Sequence, residues 1–367
     1  MKVVAIGSRG FPGVQGGVET HCEKLYTHLA ELGCSITVFT RRPYVDPDIH
    51  TYKGVSLIAL HCPHNKYLEA IVHTFKSVIK ARTINPDVLH LHAVGPSLFA
   101  PLASMLGMKV VITNHGPDYM RKKWSLPAKL FLKFCERVGI IFADRIIAIA
   151  RNISDEIKEN YGRDSIIIPN GVDIPIPPDT DEYLTKYGLH TCKYILSIGR
   201  LVPEKGFHDL IEAYNTGHFR DWKLVIVGAA DHEDDYSLGL NNASKKNNNI
   251  IMTGTLTGQA LAEIYSHAGL FVLASYYEGM PIALLEAMSY GLSCVASDIP
   301  ANKNIELGED RYFISGDKLS LEKKLSELIG RPWGEAERRR QIQSVAEKYN
   351  WRKIAERTLT VYKDVIL

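Results

Sequence analysis

Glu278 and Glu286 stand in the stretch Ser275 to Asp298 with seven residues between them, the first pair of side chains in this chain that could do chemistry together. If every step between them were helical, they would lie about 12 Å apart along the axis. That exceeds the roughly 5 to 9.5 Å over which paired glycosidase carboxylates work. Spaced this way, they suit hydrogen bonds to separate hydroxyl groups of one extended polyhydroxyl ligand. The competing reading of Glu286 is a helix surface residue, although Leu285, Ala287 and Met288 surround it with apolar neighbours. A second constellation is Ile198-Gly199-Arg200-Leu201-Val202-Pro203-Glu204-Lys205-Gly206, which opens a helix and sets Arg200 and Lys205 near its start. Cations are unfavourable at that end of the helix dipole unless an anion is also bound. The pattern points to a phosphate or diphosphate, against the alternative of a solvated loop with its cations turned outward. His115, in Asn114-His115-Gly116-Pro117-Asp118, follows a strand and is either a ligand contact or a satisfied loop histidine. His90 reads as structural, and His92, at a strand end, fits either role.

The N-terminal glycines resemble a nucleotide loop and fail its rules. Gly7, Gly10, Gly13 and Gly16 do not space as Gly-x-Gly-x-x-Gly, and no Lys-Ser or Lys-Thr follows Gly16. What remains is a loop whose Gly16 and Gly17 let backbone N–H groups approach a ligand at a helix start, or a plain turn.

The elements that must hold these residues alternate regularly. Strands are expected at Val3–Ile6, Ser35–Thr40, Val55–Leu60, Val88–Leu91, Lys109–Thr113, Arg145–Ile149 and Ser165–Ile168. Helices between them run over Val18–Leu32, Tyr67–Thr83, Pro96–Gly107, Leu126–Val138 and on to Tyr161. Such alternation means a parallel sheet covered on both faces. Residues 170–181 carry Pro175, Pro177 and Pro178 in a polar, helix-poor segment, read as a linker. The alternation then restarts with strands Tyr194–Ile198, Leu224–Val227, Ile250–Met252, Leu270–Ala274 and Ser293–Ala296. Helices Phe207–Tyr214, Tyr236–Lys245 and Gly258–His267 separate the first four, and a helix begun at Pro281 and stopped at Gly291 separates the last pair. Two final amphipathic helices, Glu335–Lys348 and Trp351–Val365, have no strand between or after them.

The expected fold is therefore α/β, with two doubly wound, Rossmann-like parallel-sheet domains facing across a cleft. Their bounds are 1–172 and 173–350, and the helix in 351–367 packs back on the first. Ligands of open α/β sheets bind beyond the C-terminal strand edges, where Gly16, Gly17, Gly199, Arg200, Lys205, His115 and Glu278 all fall.

Composition narrows the function classes. With 367 residues the chain suits two cores rather than one. Its 43 basic and 41 acidic residues give a net charge of +2, so a broad nucleic-acid surface is not implied. The six cysteines are scattered without a Cys-x-x-Cys pair, as buried free thiols in a reducing compartment would be. The N-terminus lacks a signal-peptide pattern and no apolar run reaches the roughly 20 residues needed to cross a bilayer; a cytoplasmic protein is expected. Residues 121–134 mix Arg121, Lys122, Lys123, Lys129 and Lys133 with Trp124, Leu126, Leu130, Phe131 and Phe134. They suit either a core helix with a solvated basic face or peripheral contact with an anionic inner membrane face.

Taken in order, Gly16-Gly17-Val18-Glu19, His115-Gly116, Pro169-Asn170-Gly171-Val172-Asp173, Gly199-Arg200 with Lys205-Gly206, and Glu278-x7-Glu286 with Ala287-Met288 and Gly291 resemble family-4 retaining glycosyltransferases of the GT-B fold. The N-terminal part is similar to a bacterial surface-polysaccharide subset. The resemblance spans nearly the whole chain. It implies transfer of a sugar from a nucleotide-diphosphate-sugar donor to a hydroxyl of a saccharide or lipid-linked saccharide, with retention. It implies that Arg200 and Lys205 bind the diphosphate, and that Glu278, beside the backbone of Gly279, Met280 and Pro281, contacts the donor sugar. By the same resemblance Glu286 holds the ribose hydroxyls, His115 lies near the reaction centre, and Gly16 and Gly17 line the phosphate and acceptor side. It implies no cofactor and no metal, since two fixed cations and a helix start can replace Mg²⁺ at a diphosphate. An epimerase of the same fold would act on donor alone, and a non-catalytic nucleotide-sugar-binding protein would bind without turnover.

Overall fold

The computed structural model describes every residue except 64, 66, 67, 121–123, 218, 220, 231, 232 and 330. The expected helix start at Tyr67 and the cations Arg121 to Lys123 thus lie outside the described residues. The chain divides into two compact units, one of Met1–Gly171 with Trp351–Leu367 and one of Val172–Asn350.

In the first unit the strands are β1 (Lys2–Ile6), β2 (Ser35–Arg41), β3 (Thr51–Tyr52), β4 (Val55–Leu60), β5 (Val88–His92), β6 (Val110–Asn114), β7 (Arg145–Ala148) and β8 (Ile166–Ile167). The helices are α1 (Gly17–Glu31), α2 (Glu69–Ile84), α3 (Ala100–Met105), α4 (Leu126–Phe142) and α5 (Arg151–Tyr161). The sheet runs β3-β4-β2-β1-β5-β6-β7-β8, with all pairs parallel but β3 with β4. Strand order reverses between β1 and β5, the switch point at which open α/β sheets take their ligands. The expected helix over Pro96–Gly107 is split into a 3-10 turn, Pro96–Phe99, and α3. Pro101 lies at the second position of α3, where its missing N–H costs nothing.

The second unit has β9 (Tyr194–Ile198), β10 (Lys223–Val227), β11 (Ile250–Gly254), β12 (Leu270–Leu273), β13 (Cys294–Ser297) and β14 (Tyr312–Phe313). With them run α6 (Glu182–Tyr187), α7 (Phe207–Thr216), α8 (Asp235–Ser244), α9 (Gly258–Ser266), α10 (Ile282–Ser289), α11 (Pro300–Lys303), α12 (Lys318–Ile329) and α13 (Glu335–Lys348). The order β11-β10-β9-β12-β13-β14 is wholly parallel and reverses between β9 and β12. Both units are doubly wound, and the expected α/β class holds in each. Pro281 precedes α10 as its cap, in extended conformation, rather than opening the helix. The expected helix Tyr236–Lys245 is present as α8, opened by Asp234, whose side chain accepts from the Ser237 backbone N–H.

The last helix, α14 (Trp351–Ile366), belongs to the first unit. Its buried Trp351, Ile354, Ala355, Val361, Tyr362 and Val365 join one core with Cys22, Leu25, Tyr26 and Leu29 of α1. The spacing of these residues at three, four and seven puts one apolar stripe on each helix. All six cysteines are free thiols and five are buried; Cys192 is exposed, at a positive-φ turn.

Candidate functional site

In the second unit the site is built from two loops at the switch point, one after β9 and one after β12. The first carries Gly199, Arg200 and Lys205; Lys205 ends a 3-10 turn, Pro203–Lys205, and Gly206 caps α7. Gly206 has φ +66°, and a Cβ there would meet the carbonyl oxygen of Ala274 at 2.1 Å. Only glycine lets the first loop sit this close to the second. The backbone N–H of Tyr276 donates to the carbonyl of Glu204 at 2.8 Å and fastens the two loops again.

Across that junction Lys205 Nζ donates to Glu278 Oε1 at 2.5 Å, and Ser275 Oγ donates to the same oxygen at 2.6 Å. The stem of Lys205 passes over Gly199, whose missing side chain leaves it room at 3.3 Å. The lysine and glutamate side chains are 20% and 11% exposed, so the pair is largely shielded from screening by water. Behind it, Ser297 at the end of β13 donates to the Ser275 carbonyl at 2.5 Å, and Asn302 Nδ2 donates to the Ser297 carbonyl at 2.9 Å. These buried bonds fix the loop's path. Arg200 is half-buried beside Gly199. Gly279 is half-buried, Met280 and Pro281 are buried, and together they lead into α10.

Glu286 lies one turn into α10, where Tyr265 O–H donates to its Oε2 at 2.8 Å. Burial first, and the adjacent Glu286 carboxylate second, hold the Tyr265 hydroxyl far above its ordinary pKa, so it is a permanent donor. Glu278 and Glu286 therefore have separate partners, one in a cation pair and the other oriented by a tyrosine. Tyr265 gave no local signal in the sequence; Ser275 and Asn302 are ordinary polar residues there, and only the sheet brings them together.

The first unit has its own constellation. Gly16 caps α1 at φ +153°, and a Cβ on it would strike Glu19 Oε2 at 2.1 Å. Glu19 accepts from Arg9 Nε and from the Arg9 backbone N–H, each at 3.1 Å, while Arg9 Nη2 donates to the Gln15 carbonyl at 2.5 Å. The acid of the Gly16-Gly17-Val18-Glu19 motif thus clamps its own loop. Around Gly17 nothing among the described residues lies within 4 Å of where a Cβ would stand.

Beyond β5 and β6 the histidines gather. His92 Nδ1 lies 3.0 Å from His115 Nε2, and the buried His21 packs edge-on against both rings. His21 Nδ1 meets Asn170 Oδ1 at 2.8 Å. His90, fully buried on β5, bonds Thr113 Oγ1 at 2.7 Å and Tyr362 of α14 at 2.6 Å, so it is held entirely by protein. Tyr26 O–H lies 2.5 Å from His92 Nε2. Burial lowers the pKa of His21 to about 4 and of His90, His92 and His115 well below the ordinary value, so all four rings are neutral. The His115 loop is fixed from behind: Asn114 Nδ2 donates to Glu136 Oε1 at 2.8 Å, and Asn114 Oδ1 accepts from the Gly116 N–H at 2.8 Å. Tyr119 and Tyr161 hydroxyls donate to Glu136 Oε2 at 3.1 and 2.7 Å. His21 and Glu136 were missed by the sequence reading, although His21 falls one helical turn past Gly17 and so shares the loop's end of α1.

Comparison with known proteins agrees with this layout. Residues 15–175 match the family model "Glycosyltransferase Family 4", and residues 179–349 match "Glycosyl transferases group 1". The putative teichuronic acid biosynthesis glycosyltransferase TuaC of Bacillus subtilis is 26% identical, over 82% of this chain and 81% of its own. GDP-mannose:cellobiosyl-diphosphopolyprenol alpha-mannosyltransferase of Xanthomonas campestris is 22% identical, over 99% of this chain and 96% of its own. Sucrose-phosphate synthase from Thermosynechococcus elongatus superposes with a TM-score of 0.86 at 18% identity, covering 99% of this chain and 98% of that one, which shows the shared fold. The chain is a glycosyltransferase of family 4, built as the two Rossmann-like domains of the GT-B fold.

Proposed function

We propose that the protein transfers a sugar, with retention and without a metal ion, from a nucleotide-diphosphate-sugar donor to a hydroxyl of a saccharide or lipid-linked saccharide in surface-polysaccharide or glycolipid synthesis. The observation that carries the proposal is the pairing of Lys205 with Glu278 where two loops are locked together at the switch point of the second sheet. An ammonium has three donors; Glu278 takes one and aims the rest. With Arg200 beside it, Lys205 would meet the donor diphosphate and stabilise charge on the leaving group. Glu278, with the backbone of Gly279, Met280 and Pro281, would border the transferred sugar. Glu286, oriented by Tyr265, would hold the ribose hydroxyls. His115, neutral and fixed through Asn114, would act near the anomeric carbon, with Gly16 and Gly17 at the acceptor side.

The relatives support the substrate classes: one is a GDP-mannose:cellobiosyl-diphosphopolyprenol alpha-mannosyltransferase, and another is named as a putative glycosyltransferase of teichuronic acid biosynthesis. We further propose peripheral contact with an anionic inner membrane face through α4, where Leu126, Leu130, Phe131 and Phe134 are exposed.

Transfer is tested with a panel of nucleotide sugars and saccharide acceptors, reading product and anomeric configuration by NMR. Full rate in EDTA and a loss of about 10²-fold or more in both Arg200→Ala and Lys205→Ala are expected. Near-wild-type turnover in both variants overturns the assignment; isomerised donor formed without acceptor would favour an epimerase.

A further inference from the structure

We propose that His21, His92 and His115 form a three-imidazole site for one divalent ion of the zinc class. One nitrogen from each ring lies within 4.8 Å of one nitrogen from each of the others. Two imidazoles on a tetrahedral zinc, at a Zn–N distance of about 2.05 Å, bring their nitrogens to about 3.3 Å and their ring centres to about 5.2 Å. Here His92 Nδ1 and His115 Nε2 are 3.0 Å apart, and the three ring-centre separations are 5.4, 4.8 and 5.3 Å. The ring centres stand at the separations a tetrahedral ion needs; the nitrogens, spread over up to 4.8 Å, would close in on the ion, and the proton shared between His92 Nδ1 and His115 Nε2 would move to a far ring nitrogen.

A second observation is independent of that geometry. Because the Asn170 carbonyl can only accept, His21 Nδ1 carries its proton, and the neutral ring leaves a lone pair on Nε2. That atom is buried and has no hydrogen-bond partner among the described residues. A buried acceptor left without a hydrogen bond is costly, and a cation among the three rings would satisfy it. The outer contacts also suit a metal. Asn170 would fix the His21 tautomer, and Tyr26 O–H stands at the far nitrogen of His92, the places where second partners of zinc-binding histidines are found. Donors that are all imidazole nitrogen select Zn²⁺, Ni²⁺ or Cu²⁺ over Mg²⁺ and Ca²⁺. His21 and His92 are buried and His115 is half-buried, so an ion enters, and keeps an open fourth position, on the His115 side.

On the proposed function, which needs His115 unligated, the ion is an inhibitor rather than a cofactor. The binding itself is tested without donor or acceptor, so failure of the transfer reading leaves it untouched. Untagged protein is titrated with ZnCl₂ and, separately, CoCl₂, and followed by thermal unfolding, metal analysis and visible absorption. We expect one zinc per chain, a raised midpoint reversed by EDTA and unmoved by Mg²⁺, and a tetrahedral cobalt spectrum without a thiolate charge-transfer band. His21→Gln should abolish the shift. Asn170→Ala, which leaves all three ring nitrogens in place, should weaken binding about 10- to 100-fold and so reads the site should His21→Gln not fold. No binding at a hundredfold excess of zinc over chain, a thiolate band, or unchanged affinity in whichever of these variants folds overturns the site.

Discussion

Lys205 and Glu278 show how one pair of side chains carries both a structural and a functional load. With Glu278 only 11% exposed, removing its cation leaves a carboxylate whose remaining partner among the described residues is the Ser275 hydroxyl. Lys205→Met should therefore cost about 1–3 kcal/mol of stability, less than the loss for a fully buried pair because the lysine is 20% exposed. The double change Lys205→Met with Glu278→Gln should regain at least half of that, while binding of donor stays lost in both proteins. Urea unfolding, paired with donor-induced thermal shifts, reads the two effects separately; additive stability losses would show the pair to be uncoupled. At this scale the sequence was informative where side chains follow strand ends, since Arg200, Lys205, Glu278 and His115 all do. It was silent on which would meet. The Lys205–Glu278 contact spans 73 positions and depends on Gly206 allowing two loops to touch, a fact of packing rather than of spacing.

Long periodic segments were legible as helix or strand from their pattern alone, and tertiary context decided the short ones. Strands such as β12 are continuous apolar runs buried on both faces, and these were legible. The pair β14, two residues long beside Glu309 and Asp310, exists only because β13 offers an edge, so no local pattern announces it. The same holds for β3. By contrast α12 carries a helical signal, Leu321, Leu325 and Leu328 buried on one stripe, that the sequence reading passed over. Helix α14 matters most for stability. It covers α1 with six buried apolar residues and sends Tyr362 O–H to His90 Nδ1 at 2.6 Å. Trp351→Ala should cost about 3–5 kcal/mol through the cavity it leaves. Tyr362→Phe should cost only about 0.5–1.5 kcal/mol, the loss of one hydrogen bond, because the Tyr26 hydroxyl remains 2.9 Å from His90 Nδ1. Deleting residues 351–367 should abolish cooperative unfolding of the first unit. Calorimetry checks all three, and a truncated chain with an unchanged melting profile would remove α14 from the core.

For the molecule as a whole, the near-neutral balance of 43 basic and 41 acidic residues means that any attraction to a charged surface must be local. No described helix is long and apolar enough to cross a membrane. Helix α4 supplies the local feature. Leu126, Leu130 and Phe134 recur every four residues and are 70%, 60% and 55% exposed, with Phe131 at 43%, whereas Cys135, Gly139 and Ile140 on the same helix are buried. An exposed apolar row on an otherwise packed helix marks an interaction surface. Lys129 and Lys133 stand among those residues, and each cation near an anionic bilayer adds about 1 kcal/mol. The purified chain should sediment with phosphatidylglycerol vesicles and not with phosphatidylcholine vesicles. Phe131→Ser with Phe134→Ser should lower the partition coefficient at least tenfold, because two aromatic side chains no longer leave water. Lys129→Glu with Lys133→Glu should lower it similarly at low salt and less at high salt, where screening has already weakened the attraction. Donor binding in solution should be unchanged in both pairs, since α4 lies outside the loops that bear Lys205 and Glu278. Equal sedimentation of wild type and both variants would assign the exposed row on α4 to something other than a membrane.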